Sequence, residues 1–398
     1  MKAVIVDWMR TPFHRAHKGD LSNVRPDRML GQITRQLLSR ASKPGGIPIY
    51  KSDGSPFIDD VLVGCAYPEG EQGYNIGRIL SQNTGFDHAE TIPGATFNRL
   101  CGSSMQAILT AAAHIEVGWG ECILCSGVES MSRVQRRGFN WSPDPELEKY
   151  SDAYVNMGTT AENVAEKWQI SRDEQELFAL NSHIKASQAV QSGFFVDELG
   201  SVWDPHEYDS AYIQIQSDGC IRPDANKESM SKLKPAFSDD GTVTAATSSP
   251  LTDGAVSLLV CSEDFAKSNN LQPLARIVSG AVTGCDPALM GIGPVEATRL
   301  ALSRANWDID SVDIFEINEA FASQCIAVIR ELGIDEDRVN IDGGALALGH
   351  PLGASGARIT GKAASLLQRT NSKRAVATMC IGGGMGIAIA IELSLIHI

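Results

Sequence analysis

The feature that most restricts the fold is an alternation of short apolar runs with helix-length segments, which runs from Lys2 to Trp119 and again from Pro273 to Leu393. Runs of four to eight apolar residues bounded by turn signals read as buried strands, and the longer periodic segments between them as helices. The first pass predicts strands at Val4–Val6 and Asp60–Cys65, helices around Met29–Ser42 and Asn75–Asn83, and a third helix opening just after Cys101. Cys122–Val128 and Ala255–Cys261 add two buried strands. The second pass predicts strands at Ala275–Ala281, Val312–Ile317, Ala375–Cys380 and Gly386–Leu393, with helices around Val295–Asn306 and Ala354–Gln368. Such βαβ order predicts an α/β fold, a largely parallel sheet covered by helices. Between the passes, Ser130–Ala246 is richer in charge, Trp and Pro, with one amphipathic helix near Thr160–Gln169, and reads as an insertion capping the site. The expected organisation is an N-terminal half at 1–269 that includes a cap at about 130–246, a C-terminal half at 270–393, and a tail at 394–398.

Chemistry gathers at three places. In G-A-T-F-N-R-L-C-G-S-S-M-Q-A-I-L (Gly94–Leu109), Cys101 stands where a strand turns into a small-residue helix. There its sulfur would face unpaired N–H groups at the positive end of the helix dipole, favouring thiolate, with Ser103 and Ser104 capping the first turn. His350 is the single histidine of a glycine-dense loop that opens another helix, and Cys380 ends an apolar strand before three glycines. A cysteine nucleophile, a histidine able to take its proton and a second cysteine as acid or base form a complete set for acyl transfer with carbon–carbon bond chemistry. The glycines do not make a nucleotide site. Gly382–Gly386 precede a strand, whereas a dinucleotide fingerprint follows one, and Gly349, Gly353 and Gly356 have neither that spacing nor a P-loop lysine.

The motifs N-R-L-C-G-S-S-M-Q-A, N-E-A-F-A (Asn318–Ala322), G-G-A-L-A-L-G-H-P-L-G-A-S-G-A-R and C-I-G-G-G-M-G, in this order and spacing, resemble the thiolases, from about Val4 to Glu392. The resemblance implies the thiolase fold: duplicated βαβ halves forming a five-layered αβαβα sandwich with an inserted loop domain. It is nearest to bacterial degradative 3-ketoacyl-CoA thiolases, the acetyl-CoA C-acyltransferases of fatty acid β-oxidation. An acetoacetyl-CoA or oxoadipyl-CoA thiolase would carry the same motifs, a decarboxylating ketosynthase shares the nucleophile but not a second cysteine such as Cys380, and a non-catalytic acyl-CoA binder would not need all four groups. Carried over by motif, Cys101 is the nucleophile, His350 its base, Cys380 the second acid or base, and Asn318 orients a water that with His350 forms one oxyanion hole. The N–H groups of Cys101 and Gly382 form the other. Coenzyme A is implied as co-substrate, with no permanently bound cofactor. Arg222 and Ser229 are implied near its adenine, and Met157, Phe237 and Ser249 along the pantetheine tunnel. Asn156 departs from the histidine of many acetoacetyl-type relatives. The resemblance also implies a homodimer or tetramer and a multifunctional hydratase–dehydrogenase partner.

Composition sets the remaining bounds. A net charge of −14 speaks against nucleic acid or an anionic membrane as partner, so the phosphates of CoA would have to be met locally, by cations such as Arg133, Arg136, Arg137, Arg222, Lys227, Lys232 and Lys234. Nine cysteines without regular spacing point to reduced thiols and to the cytoplasm. Cys122 and Cys125 form a C-x-x-C, but strand alternation sends them to opposite faces of a core strand, so no metal site is expected. No apolar run reaches the ~18–20 residues of a membrane span, the opening strand leaves no room for a leader, and the apolar tail lacks a peroxisomal S-K-L ending.

Overall fold

The computed structural model describes residues 2–41, 56–85, 89–205 and 212–394, so the tail beyond Ser394 and Ser42 of the first predicted helix lie outside the described residues. Nine strands carry the main sheet: β1 (Ala3–Arg10), β2 (Asp60–Gly64), β3 (Gly94–Phe97), β4 (Cys122–Ser130), β5 (Thr252–Ser262), β6 (Ala275–Gly284), β7 (Ile314–Ile317), β8 (Arg374–Ile381) and β9 (Met385–Leu393). Their order is β7-β8-β9-β6-β1-β5-β4-β2-β3, with the short strand His14–Arg15 beside β5. Among the described strands, the two half-sheets pair through Val4 opposite Arg276 and Ile5 opposite Ala275. Each half therefore contributes its own half-sheet.

The sheet is mixed, which corrects the largely parallel expectation. Only β2 with β3 and β4, and β7 with β8, run parallel. β1 with β5 and β6, β4 with β5, and β9 with β6 and β8 run antiparallel. A strand buried on both faces is a continuous apolar run whichever way its neighbour points, and β4 and β5 are buried almost throughout.

Helices fill three layers around the half-sheets. α3 (Ser103–Glu116) and α8 (Leu352–Thr370) lie against each other and against strands of both halves, so they form the middle layer. Met105, Ile108, Ala112, Ala357, Ile359 and Leu366 join Ile5, Leu258, Ile387 and Ile389 in the central core. Each Ile, Leu or Met among them stabilises by ~1.5–3 kcal/mol on full burial. α1 (Pro26–Ala41) and α2 (Ile76–Gln82) cover the first half-sheet through Leu30, Ile33, Leu37 and Leu80. α6 (Gly293–Ala305) and α7 (Ala322–Leu332) cover the second through Ala297, Ala301, Cys325 and Val328. The result is the αβαβα sandwich. Cys122 faces the outer core and Cys125 the central one, as alternation along β4 requires.

Two contacts draw the middle layer close to the sheet and the halves together. A Cβ at Gly127 on β4 would meet Gly353 O at 2.4 Å, so only glycine lets α8 begin there. Ser104 Oγ on α3 accepts the Ala357 N–H of α8 at 2.9 Å. α8 is buried on nearly every face, and its charges are paired. Lys362 reaches Glu198 at 2.7 Å and Asp342 at 2.8 Å, while Arg369 binds Asp342 through both terminal nitrogens. Arg10 on β1 binds the same Glu198 at 2.7 Å and Asp218 at 2.6 Å, both from the cap segment.

The cap itself holds α4 (Met157–Lys167) and a second, longer helix, α5 (Arg172–Gln191), beyond the one expected. Ser171 and Glu174 form a capping box at the start of α5. Its buried face is Gln175, Ala179, Ser182, Ala186 and Ala189, with Glu176 and His183 beside them.

Candidate active site

Cys101 is presented by a strained turn between β3 and α3. Leu100 has φ 44°, left-handed backbone that a leucine rarely adopts. The turn is held by Leu100 N–H to Asn98 Oδ1 at 2.9 Å, by Ser103 Oγ donating to Leu100 O at 2.5 Å, and by Arg99 N–H donating to Ser103 Oγ at 3.0 Å. The expectation from sequence that Ser103 and Ser104 cap α3 is not met. The first braces the turn and the second braces α8, because the turn leaves the helix entry under Gly102, which has no side-chain cap.

The electrostatics of the cysteine also differ from expectation. Burial pushes the Cys101 thiol up to about 11, opposed by the Gly382 N–H that points at its sulfur, reinforced by the negative Glu129 below, and opposed again by Arg136 and by its own N–H. The helix end does not overcome desolvation, so the resting group is a thiol. Glu129 ends β4 and accepts from Ala66 N–H at 2.8 Å, Gln72 Nε2 at 2.9 Å, Gly353 N–H at 2.9 Å and Tyr67 N–H at 3.2 Å. It ties the loop that follows β2 to the first turn of α8.

His350 comes from the other half, just before α8. Gly349 has φ 102° and would place a Cβ 2.6 Å from Thr252 Oγ1, the atom that accepts the His350 N–H at 3.0 Å. The ring is fixed at both nitrogens. Nδ1 lies 2.5 Å from Ser355 Oγ, and because that hydroxyl donates to Pro351 O at 3.1 Å, Nδ1 is the donor of the pair. Nε2 is then an acceptor, 3.4 Å from Asn318 Nδ2. Burial, and then the Arg358 charge, lower His350 to about 3, so the ring is neutral. Asn318 is buried, and its Oδ1 has no hydrogen-bond partner, a free acceptor of the kind a bound water would use. Cys380, at the end of β8, is pushed well above the ordinary thiol value by burial and then by the neighbouring Cys101.

Cys101, His350, Cys380 and the backbone of Gly382 line one cavity of about 390 Å³. Met157, Phe237 and Ser249 line it too, with Phe237 meeting Phe321 edge-on at 6.0 Å. Asn156 caps α4 through Gly158 N–H at 3.0 Å. Three expected site residues are not among the lining residues. Asn318 is fully buried beside His350. Arg222 and Ser229 lie exposed on the cap, where Ser229 N–H and Oγ are spent on Asn226 at the start of a short helix. Lys227 pairs with Asp173, Lys232 with Glu228 and Arg133 with Glu71, whereas Arg136 and Arg137 do line the cavity. Tyr67, Trp141 and Tyr154 are wall residues that the sequence reading missed. Among the described residues no group of three or more His, Cys, Asp or Glu side chains is placed to hold a metal ion, and no helix is long and apolar enough to cross a membrane. All nine cysteines are free thiols.

Along nearly its whole length the chain is similar to known proteins. Residues 3–264 match the model of the thiolase N-terminal domain, and residues 271–393 that of the thiolase C-terminal domain. The chain is 43% identical to a 3-ketoacyl-CoA thiolase of Bacillus subtilis, covering 98% of this chain and 99% of that protein. It is 43% identical to one of Saccharophagus degradans, covering 98% and 97%. Among solved structures, a Bacillus anthracis acetyl-CoA acetyltransferase superposes with a TM-score of 0.86 at 36% identity over 99% of both chains. The human mitochondrial 3-ketoacyl-CoA thiolase in complex with CoA superposes with a TM-score of 0.85 at 37% identity over 98% of both. With both halves matched and nearly every residue covered, the chain belongs to the thiolase family.

Proposed function

We propose that this protein cleaves 3-ketoacyl-CoA with coenzyme A, giving acetyl-CoA and a shortened acyl-CoA, as an acyltransferase of fatty acid β-oxidation. The observation that carries the reading is the convergence of Cys101, His350, Cys380 and the Gly382 N–H on one cavity, from the two halves of the chain. The halves are 1–269, with a cap at about 130–246, and 270–393.

The cycle uses each group in the state its surroundings dictate. The neutral Nε2 of His350 takes the proton of Cys101 as the sulfur bonds to C3 of the substrate, and the C2–C3 bond breaks. The electron pair goes to the enolate of acetyl-CoA, which takes its proton at C2 from Cys380. Cys380 suits that task because it is held as a thiol. The incoming CoA thiol then gives its proton to the Cys380 thiolate and attacks the acyl-enzyme carbonyl. The shortened acyl-CoA leaves, and the Cys101 thiolate recovers its proton from the His350 imidazolium. Asn318, through an oriented water, and the imidazolium stabilise one oxyanion, while the Cys101 and Gly382 N–H groups stabilise the other, each donor being worth ~3–4 kcal/mol of barrier.

CoA enters as co-substrate along Met157, Phe237 and Ser249, with Arg222 and Ser229 on the exposed cap toward its adenine. No permanently bound cofactor is invoked. The setting is the reducing cytoplasm, as a homodimer or tetramer, with a hydratase–dehydrogenase supplying the 3-keto substrate. The test is CoA-dependent loss of acetoacetyl-CoA beside medium- and long-chain 3-ketoacyl-CoA, with Cys101→Ala as control. Activity lost in the control supports the reading. Turnover of none of these substrates overturns it.

A further inference from the structure

Three polar groups on the cavity wall have no part in that cycle: the guanidiniums of Arg136 and Arg137 and the hydroxyl of Tyr67. Arg137 lies over the Trp141 ring at 4.8 Å and donates from Nη2 to Tyr154 O at 3.3 Å. Among the described residues neither arginine pairs with a carboxylate, whereas Arg133 in the same loop is bound to Glu71. Glu129, the buried carboxylate whose charge acts on Cys101 and Tyr67, is already occupied by Ala66, Tyr67, Gln72 and Gly353. Two cations without carboxylate partners, on the wall of a cavity in a protein of net charge −14, are matched to an incoming anion.

The anion must be carried by the acyl part of the substrate. Tyr67 lies just beyond β2, where Gly64 packs so closely on Ser104 that a Cβ would meet its N at 2.2 Å and Cys65 N–H donates to Phe97 O at 3.0 Å beside the Cys101 turn. The Arg136 charge acts on both Cys101 and Tyr67, so Arg136 and Tyr67 lie toward the reacting end of the cavity, with Arg137 next to Arg136 in the chain. The phosphates of CoA cannot reach that end. The pantetheine arm puts about thirteen bonds between the thioester sulfur and the nearest phosphorus, roughly 15 Å at the ~1.2 Å per bond of an extended chain. We infer that Arg136, Arg137 and Tyr67 form a recognition site for a carboxylate at the far end of a short acyl chain. The preferred substrates are then 3-ketoacyl-CoA thioesters that end in a carboxylate, and the products are acetyl-CoA and an ω-carboxyacyl-CoA. The bonds made and broken are those of the cycle above, the distal carboxylate being bound but unchanged. The inference rests on the thiolytic reading and narrows its substrate class.

The experiment compares kcat/KM for 3-oxoadipyl-CoA and 3-oxohexanoyl-CoA, which share a six-carbon chain and differ in the terminal charge. A charge-assisted contact gives a preference of about tenfold or more for the carboxylate, falling to about threefold or less in Arg136→Gln. The ratio is taken within each variant, so a general loss of activity cancels. Equal or faster turnover of 3-oxohexanoyl-CoA overturns the inference, as does a ratio unmoved by both Arg136→Gln and Arg137→Gln. Should the variants not fold, product inhibition of the unmodified protein decides. Succinyl-CoA is expected to inhibit at about a tenth of the butyryl-CoA concentration, and equal inhibition overturns the inference. Cleavage without preference removes this inference alone, whereas cleavage of neither substrate removes the thiolytic reading as well.

Discussion

The most exposed consequence of the site's electrostatics is the behaviour of Cys101 before substrate arrives. With the thiol pushed up to about 11 from an ordinary 9, about one molecule in ten thousand carries the thiolate at pH 7, against about one in a hundred for an unshifted group. His350, driven to about 3, does not hold the missing proton at rest. The perturbation is therefore pH itself, and the assay is a short iodoacetamide pulse read at Cys101 by peptide mass spectrometry. Alkylation follows the thiolate, so its rate is expected to climb about tenfold per pH unit from 7 to 10 without levelling. At pH 7 it should run about a hundredfold below that of an unshifted thiol of equal access. A plateau with an apparent midpoint at or below pH 8 would refute the argument, because it would mean a thiolate–imidazolium pair already formed in the free protein. Activation would then belong to the resting turn rather than to the bound substrate.

Three other perturbations test separate parts of the frame. Ser355→Ala removes the acceptor that holds His350 Nδ1–H, so kcat should fall by ~10-fold or more, with KM for CoA little changed, since general base catalysis is worth ~10²–10⁴. Steady-state kinetics on protein with an unchanged near-UV circular dichroism spectrum checks this. Glu129→Gln removes the negative charge that acts on Cys101 and weakens an anchor that accepts from four N–H donors and the Cys65 thiol. The alkylation profile should move toward lower pH, and stability should fall by about 2 kcal/mol in urea titration. Asp342→Asn breaks the bond to Lys362 and Arg369 and should cost ~3–5 kcal/mol at pH 7. Burial raises the Asp342 carboxyl, but Arg369 and Lys362 outweigh it and hold it below the ordinary value. Its contribution is thus complete above the unfolded value of about 3.9 and is lost as pH falls through the folded one. The gap between the variant and the unmodified protein should therefore close in acid, as followed by denaturation from pH 7 to pH 3.

The sequence made the chemical centre legible because each catalytic candidate sits at a change of periodicity. Cys101 and His350 each open a helix, and Cys380 closes a strand. Strand direction was not legible, because β4 and β5 are apolar on both faces and such a run has no orientation. α5 was hidden for a related reason: its buried face is made of Gln175, Ala179, Ser182 and Ala186, small or polar side chains that produce no apolar stripe. The thiolate expectation failed on magnitude, since a helix end is worth ~0.3–1 kcal/mol when exposed and cannot outweigh burial of a charge. Lys227 and Lys232 looked like any other cations until their carboxylates were visible across the fold, and Arg136 and Arg137 until their place on the cavity wall was.

The hydrogen bonds from Ala357 N–H to Ser104 Oγ and from Gly353 N–H to Glu129 join residues 253 and 224 positions apart. Contacts of such separation carry the largest loop-closure entropy and form only once the intervening chain has folded. A ribosome that has made only the first half has made Cys101 without His350, the base proposed for it, and a fragment of the second half carries His350 without that cysteine. The proposed pair thus comes into being with the completed fold. Until then the chain presents an ordinary thiol, about a hundredfold more ionised at pH 7 than the same group in the completed fold, with no base placed to turn it on a thioester.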